Sequence, residues 1–152
     1  MSKVSEFFTI GYEHTTPAAF FETLEDAGVG LVVDVRAVAA SRRPGFSKTA
    51  LAAGVSEHGI GYVHLRALGT PTDGRTAARK GDVSTLMRIY NAHLETPAAR
   101  EALDELTALA RSRPICLLCY ERHVEGCHRQ RLAELLCERL GFDVTHLEAD
   151  PF

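Results

Sequence analysis

A short run of β-branched residues is the feature that most restricts how this chain can fold. Residues 31–36 read Leu-Val-Val-Asp-Val-Arg, an almost uninterrupted apolar segment with one carboxylate near its end. Such a run is typical of a strand in a parallel sheet with both faces covered by helices, because neither face alternates with polar residues. An α/β fold is therefore expected.

The rest of the chain alternates between strand-like and helix-like segments. Further strands are predicted at 7–10, 60–65, 115–121 and 142–147. Thr16, Asp82 and Thr96 are candidate N-caps for intervening helices, and Pro17 and Pro97 suit the first helical position. This order predicts one α/β domain over residues 1–152, with three layers, a mostly parallel sheet of about five strands and helices on both faces.

Residues 66–81 interrupt the alternation. They are polar, rich in turn formers and without a clear period. We predict a long loop here, and loops of that length in compact domains tend to be functional.

Composition argues against several classes of protein. The net charge of −3 and the pI near 6.2 disfavour binding of nucleic acid by bulk electrostatics. No apolar run is long enough to span a membrane and no signal core is present, so we expect a cytoplasmic protein without membrane contact. The four cysteines are then expected to be thiols rather than a disulfide framework.

The most reactive stretch is 115–131, a predicted strand, turn and helix start. Strand alternation places Cys119 and Glu121 on one face and Cys116 on the other, which argues against a Cys-x-x-Cys pair. Cys116 and Cys137 are interpreted as core residues. In parallel sheets ligands bind beyond the carboxyl ends of the strands, so this turn is the expected site.

Helical phasing turns His128 and Arg129 toward the sheet. The helix start and Arg129 favour a bound anion and an activated thiol. We therefore predict a site for a small anionic or nucleotide-like ligand, where a thiol-dependent transferase or hydrolase reaction would take place. Its catalytic candidates are Cys119, Glu121, Cys127 and His128.

Residues near the second strand are candidates for ligand binding. Asp34 and Arg36 share a strand face, and either form a structural ion pair or contribute to the site. Arg36, Arg42 and Arg129 are the predicted anion-binding cations, with Asp34 beside them. Phe46 is a candidate for stacking on a nucleobase.

Two other functions remain open. Cys119, Cys127 and His128 are an alternative set of zinc or iron ligands, with Glu121 or Asp34 as a further one. A nucleic-acid or protein interaction module is the third alternative, which the acidic pI disfavours. No particular cofactor or oligomeric state is implied.

Four segments resemble one bacterial family, the domain of unknown function 488 with its YeaO-like members. They are 9–12, 33–36 with 41–46, 62–69, and 118–121 with 127–129, where Cys-x-Glu followed by Cys-His-Arg is the most specific part. Tyr12 and Tyr120 depart from the family, which usually has smaller residues there. The resemblance implies a compact α/β domain and no settled reaction. Residues 33–36 also resemble a rhodanese start, though the cysteine loop matches only loosely.

Overall fold

The apolar runs assemble into one parallel sheet in the computed structural model, which describes residues 4–151. Within that range the strands are β1 (Glu6–Gly11), β2 (Leu31–Asp34), β3 (Gly61–His64), β4 (Ile115–Cys119) and β5 (Asp143–Leu147). The helices are α1 (Pro17–Ala27), α2 (Lys48–Glu57), α3 (Thr72–Arg79), α4 (Val83–His93), α5 (Pro97–Ser112) and α6 (His128–Leu140). No helix among them is long and apolar enough to cross a membrane.

The strand order is β3-β2-β4-β1-β5, and every pairing is parallel. Helices α1 and α2 pack on one face through Phe20, Leu24, Leu51 and Val55. Helices α4, α5 and α6 cover the other face. The predicted three-layer α/β fold is confirmed, and the sheet is wholly parallel.

Three helix starts follow the predicted capping chemistry. The side chains of Thr16, Asp82 and Thr96 accept hydrogen bonds from backbone amides in the first turns of α1, α4 and α5. Each such cap satisfies an amide that the helix itself leaves unpaired. These starts were readable from sequence because capping depends on residues only a few positions apart.

The predicted loop over residues 66–81 is wrong for its second half. Arg66–Leu68 form a 3-10 turn, and Thr72–Arg79 form α3, which packs against α4. Gly74 permits the chain before α3 to lie close to the helix, because a Cβ there would lie 2.5 Å from the Thr70 side chain, and it also faces Ile89 of α4 at 3.4 Å. Only Gly74 and Ala77 of α3 are buried, so the helix lacks the apolar stripe by which a sequence reveals one.

The strand order has a switch point between β2 and β4. The chain leaves β2 toward β3 on one side, and leaves β4 toward β5 on the other. Neighbouring parallel strands whose connections diverge leave a crevice at their carboxyl ends, where ligands bind in such folds. The residues after Asp34 and Cys119 therefore border the expected ligand position.

Candidate functional site

A cavity of about 500 Å³ opens at this switch point. Its walls come from the ends of β1, β2 and β4, from α3 and α4, and from the start of α6. The lining residues include Tyr12, Arg36, Val38, Arg75, Arg79, Cys119, Tyr120, Glu121, Cys127 and His128. All four predicted catalytic candidates thus line one cavity, and so does Arg36, one of the predicted ligand-binding residues.

Two thiols lie at the floor of the cavity. Cys119 is the last residue of β4, and Cys127 is the N-cap of α6. Their Sγ atoms are 2.9 Å apart, and both residues are buried. Oε2 of Glu121 lies 3.5 Å from the Cys119 sulfur and 3.4 Å from the Cys127 sulfur. One carboxylate oxygen is therefore placed to exchange a proton with either thiol.

Gly11 allows the β4–α6 turn to reach this position. A Cβ at Gly11 would lie 1.6 Å from the carbonyl oxygen of Glu121. Any side chain there would displace the turn, since non-bonded atoms do not approach so closely. Glu121 itself lies beyond the strand end, so the predicted strand over 115–121 is two residues too long.

Arg129 holds the turn and the thiols together. Its side chain is fully buried, as helical phasing predicts. Nη1 donates to Thr9 Oγ1 at 2.7 Å, Nη2 to the Glu121 carbonyl at 2.7 Å, and Nε to the Cys119 sulfur at 3.1 Å. The guanidinium thus joins β1, the turn and the thiol pair.

Burial and neighbouring groups shift the pKa values of Arg129 and Cys119 at the site. Burial alone would lower the pKa of Arg129, but the nearby sulfurs of Cys119 and Cys127 outweigh burial and the pKa is raised. Burial, together with the hydrogen bond and charge of Cys127, raises the pKa of Cys119 well above its usual range. The pair therefore accommodates one negative charge more readily than two.

His128 is fixed in one tautomer. Its Nε2 lies 2.8 Å from the Val35 carbonyl oxygen, so that nitrogen carries the proton. Nδ1 then presents its lone pair 3.8 Å from the Cys127 sulfur, and the Tyr90 ring packs edge-on against the imidazole. His128 is a second proton acceptor beside the thiol.

Cys116 and Cys137 are separate from this site. Cys116 is fully buried on the opposite face of the sheet, among residues that pack on α1 and α2, and burial raises the pKa of its thiol. Cys137 packs at the edge of the other apolar cluster. The interpretation of both as packing residues agrees with these positions.

Asp34 and Arg36 form a buried ion pair. Arg36 Nε and Nη2 donate to the two oxygens of Asp34 at 2.9 and 2.7 Å, and Nη1 donates to the Phe46 carbonyl at 2.7 Å. Tyr62 also donates to Asp34, at 2.5 Å. Although Arg36 borders the cavity, its donors are already bonded to protein, which favours the structural interpretation.

The loop after β2 differs from the expectation at two positions. Phe46 is fully buried and stacks on Tyr12 with ring centroids 4.7 Å apart, so the prediction that it stacks on a nucleobase is wrong. Arg42 is exposed and is not among the residues that line the cavity. Phe46 packs in the apolar core on the α1 and α2 face of the sheet and is not accessible to a ligand.

Sequence reasoning missed two arginines, Arg75 and Arg79 of α3, which line the cavity. Arg75 Nε is buried and has no hydrogen-bond partner within residues 4–151, while its Nη2 donates to Thr72 at 3.0 Å. Arg79 donates to Thr76 at 3.3 Å. The four-residue spacing of the two arginines was the available signal, because it places both on one face once the segment is helical.

A metal ion was the alternative occupant. Ligand atoms of Cys119, Glu121 and Cys127 lie within 4.8 Å of one another, so Glu121 replaces His128 in the predicted set. With Zn–S bonds of about 2.3 Å, sulfurs 2.9 Å apart subtend about 78° at the metal, against about 109° for a tetrahedral site. Arg129 also lies 3.1 Å from one sulfur and would repel a dication. The residues fit a metal only after the thiols separate.

Fold and site together define an all-parallel α/β domain with a thiol pair and arginines at its switch point. The sequence profile described as Domain of unknown function DUF488 matches residues 16–136, a range that contains the thiol pair and Arg129. The chain belongs to this family, which confirms the resemblance seen in its motifs. No curated protein matches the chain.

Proposed function

We propose that the protein binds a small anionic ligand in the cavity and that a Cys127 thiolate acts on it as a nucleophile. The buried guanidinium of Arg129, which is not among the residues that line the cavity, is the observation that carries the thiolate part of this proposal. A buried cation is unfavourable unless an anion accompanies it. Within residues 4–151, the salt bridges include none between Arg129 and a carboxylate, whereas its Nε contacts the Cys119 sulfur.

The negative charge that Arg129 requires is best supplied by the thiol pair. Cys119 retains its proton because burial and its neighbour raise its pKa. The charge then rests on Cys127, which accepts a hydrogen bond from the Arg129 amide at 3.5 Å and lies at the positive end of α6. Glu121 or His128 takes the proton that Cys127 releases.

The anionic part of the ligand is expected to bind the arginines of α3. Arg75 Nε lacks a protein partner among the described residues, and a phosphate or carboxylate would supply an acceptor. Arg79 adds a second cation to the same wall. Arg36 contributes less, because Asp34 offsets its charge.

The rim of the cavity favours a ligand with an apolar or aromatic part as well. Val38 and Tyr120 both line the cavity and are exposed to 52% and 44%. Exposed apolar side chains beside a charged pocket suit an amphipathic ligand, of which a nucleotide is one example. Thiol-dependent group transfer or hydrolysis is the reaction class that this arrangement supports.

Matched alkylating agents test the proposal directly. Iodoacetate and iodoacetamide place the same reactive carbon on an anion and on a neutral molecule of similar size. Labelling of Cys127 in the reduced protein is followed by peptide mass spectrometry, with Cys137 as internal reference. We expect the ratio of iodoacetate to iodoacetamide rates to be about tenfold higher at Cys127 than at Cys137, corresponding to about 1.4 kcal/mol.

Two variants separate the anion site from the thiol. In the Arg75→Gln, Arg79→Gln double variant the ratio at Cys127 should fall to that at Cys137, while iodoacetamide labelling persists. Inorganic phosphate should protect Cys127 in the natural protein and not in this variant. Equal ratios at Cys127 and Cys137 in the natural protein would refute anion binding, and an unreactive Cys127 would refute the nucleophile.

A metal site is the second candidate, carried by the Cys119, Glu121 and Cys127 cluster. Such a site would use both sulfurs and one carboxylate oxygen as ligands. Protein purified without a metal-affinity tag would contain about one zinc or iron per chain, lost in the Cys127→Ser variant. Absence of stoichiometric metal, together with unchanged thiol labelling after chelation, would exclude this candidate.

A further inference from the structure

We propose that Cys119 and Cys127 interconvert between a dithiol and an intramolecular disulfide. The site would then exist in a reduced form with a nucleophile and an oxidised form without one. This inference rests on the Cys127 thiolate of the proposed function, but not on anion binding. Its basis is the position of the two sulfurs relative to each other and to the rest of the chain.

The pair is close enough to bond with little movement. A disulfide requires sulfurs about 2.05 Å apart, and these sulfurs are 2.9 Å apart before any bond forms. Cys127 lies between the β4–α6 turn and α6 in extended backbone conformation, with φ −112° and ψ 146°. The required shift of about 0.9 Å falls on the end of an irregular segment instead of on a strand.

The other two cysteines are poor competitors. Cys116 lies on the opposite face of the sheet and contacts the Leu117 carbonyl. Cys137 lies about 15 Å further along α6 than Cys127, given the rise of a helix. The fold therefore brings only one pair of thiols together within residues 4–151.

Hydrogen peroxide or an organic peroxide is the expected oxidant, since the cavity gives small molecules access to Cys127. The Cys127 thiolate attacks one peroxide oxygen, the O–O bond breaks, and the departing oxygen takes a proton as water or alcohol. The sulfur of Cys119 then attacks the Cys127 sulfenic acid, and its proton passes through Glu121 to the sulfenic oxygen, which leaves as water. The two sulfurs lose two electrons and the peroxide gains them.

Oxidation also changes the surroundings of Arg129. The disulfide carries no charge, so the buried guanidinium loses the anion that faces it. This loss disfavours the oxidised form relative to the reduced one, which makes the disulfide easy to reduce. A reversible, labile disulfide is expected in place of a structural one.

Peptide mapping provides the test. The reduced full-length protein is treated with equimolar hydrogen peroxide, alkylated and digested with trypsin without reductant. Trypsin leaves Cys119 on peptide 112–122, together with Cys116, and Cys127 on peptide 123–129. The experiment therefore uses the Cys116→Ser variant beside the natural protein, so that a link between the peptides identifies the cysteine.

We expect the intact protein to lose two hydrogen masses and the two peptides to be linked in both proteins. Dithiothreitol should restore the dithiol and the labelling of Cys127. In the Cys119→Ser variant, whose hydroxyl still accepts from Arg129, peroxide should instead add oxygen to Cys127. If the link disappears in Cys116→Ser, or Cys127 gains oxygen in the natural protein without linking, the inference is wrong.

The outcome is separable from that of the proposed function. The Arg75→Gln, Arg79→Gln double variant should lose its preference for iodoacetate and still form the disulfide. Disulfide formation without any preference for iodoacetate in the natural protein would support the redox pair and refute anion binding. A preference for iodoacetate with no link between the peptides would support anion binding and refute the redox pair.

Discussion

Replacing Arg129 by methionine tests how strongly the site is tied to the sheet. Methionine keeps an unbranched apolar stem, although it is shorter than arginine, and removes the three shortest side-chain hydrogen bonds, to Thr9 Oγ1, the Glu121 carbonyl and the Cys119 sulfur. A longer contact to the Arg122 carbonyl at 3.5 Å is lost with them. Three acceptors in a buried region would lose their donor at once. The start of α6 would also lose the hydrogen bond that joins the Arg129 guanidinium to Thr9 of β1.

The expected loss of stability follows from the two hydrogen bonds that Arg129 donates to oxygen atoms. A hydrogen bond from a charged donor contributes about 1.5–3 kcal/mol, so two such bonds of 2.7 Å contribute about 3–6 kcal/mol by that measure. Methionine avoids the cost of burying a charge, which offsets part of the loss. We expect the free energy of unfolding to fall by about 3–5 kcal/mol.

Urea denaturation under reducing conditions, followed by circular dichroism, measures this change. The unfolding midpoint should fall by about 2 M at the slopes usual for small domains. Arg131→Met is the matched control, because Arg131 lies on the same helix and its hydrogen bond to Asn91 is exposed. A loss of stability in Arg129→Met within about 0.5 kcal/mol of that control would refute the argument.

Two further predictions concern neighbouring positions. Burial and the charge of Arg129 lower the pKa of His146 from 6.5, so its contribution to stability is complete above about pH 6.5 and is lost as the pH falls. His146→Gln should therefore flatten the decline in urea midpoint between about pH 6.5 and pH 5, and an unchanged decline would contradict the assignment. Gly11→Ala should slow iodoacetamide labelling of Cys127 or destabilise the fold, because the new Cβ would overlap the Glu121 carbonyl. Gly30→Ala is its control, since a Cβ there meets only ordinary contacts at 3.5 Å, and equal behaviour of the two variants would refute the steric argument.

Sequence patterns predicted most elements of the fold. The strand within residues 31–36 was recognisable because a strand covered on both faces is apolar at nearly every position. The structure ends it at Asp34, and β2 pairs with β3 and β4. The helix start at Cys127 and the inward direction of Arg129 followed from helical phasing alone. Both are local properties, set by residues within one or two turns of each other.

Local sequence patterns did not predict which charged side chains of the site remain available to a ligand. Arg36 and Phe46 were candidates for ligand binding on the same grounds as Arg129. In the structure Arg36 forms an ion pair with Asp34, and Phe46 packs against Tyr12. Arg75 was hidden because α3 has few buried residues and is stabilised by its neighbour α4. Which cation meets a ligand depends on which acceptors the rest of the protein has already supplied.

By itself, then, the sequence determined an α/β domain and a reactive stretch ending in Cys-His-Arg, since periodicity and capping are short-range. Strand alternation already separated Cys116 from Cys119, but only the tertiary structure decided that the Cys127 sulfur lies 2.9 Å from the Cys119 sulfur. The end of β4 and the start of α6 meet beside the crevice that the strand order β3-β2-β4-β1-β5 opens. The Arg129 side chain of α6 holds them there through its hydrogen bond to Thr9 of β1. Contacts between β1 and α6 join residues 120 positions apart, a separation at which no local pattern specifies which residues meet.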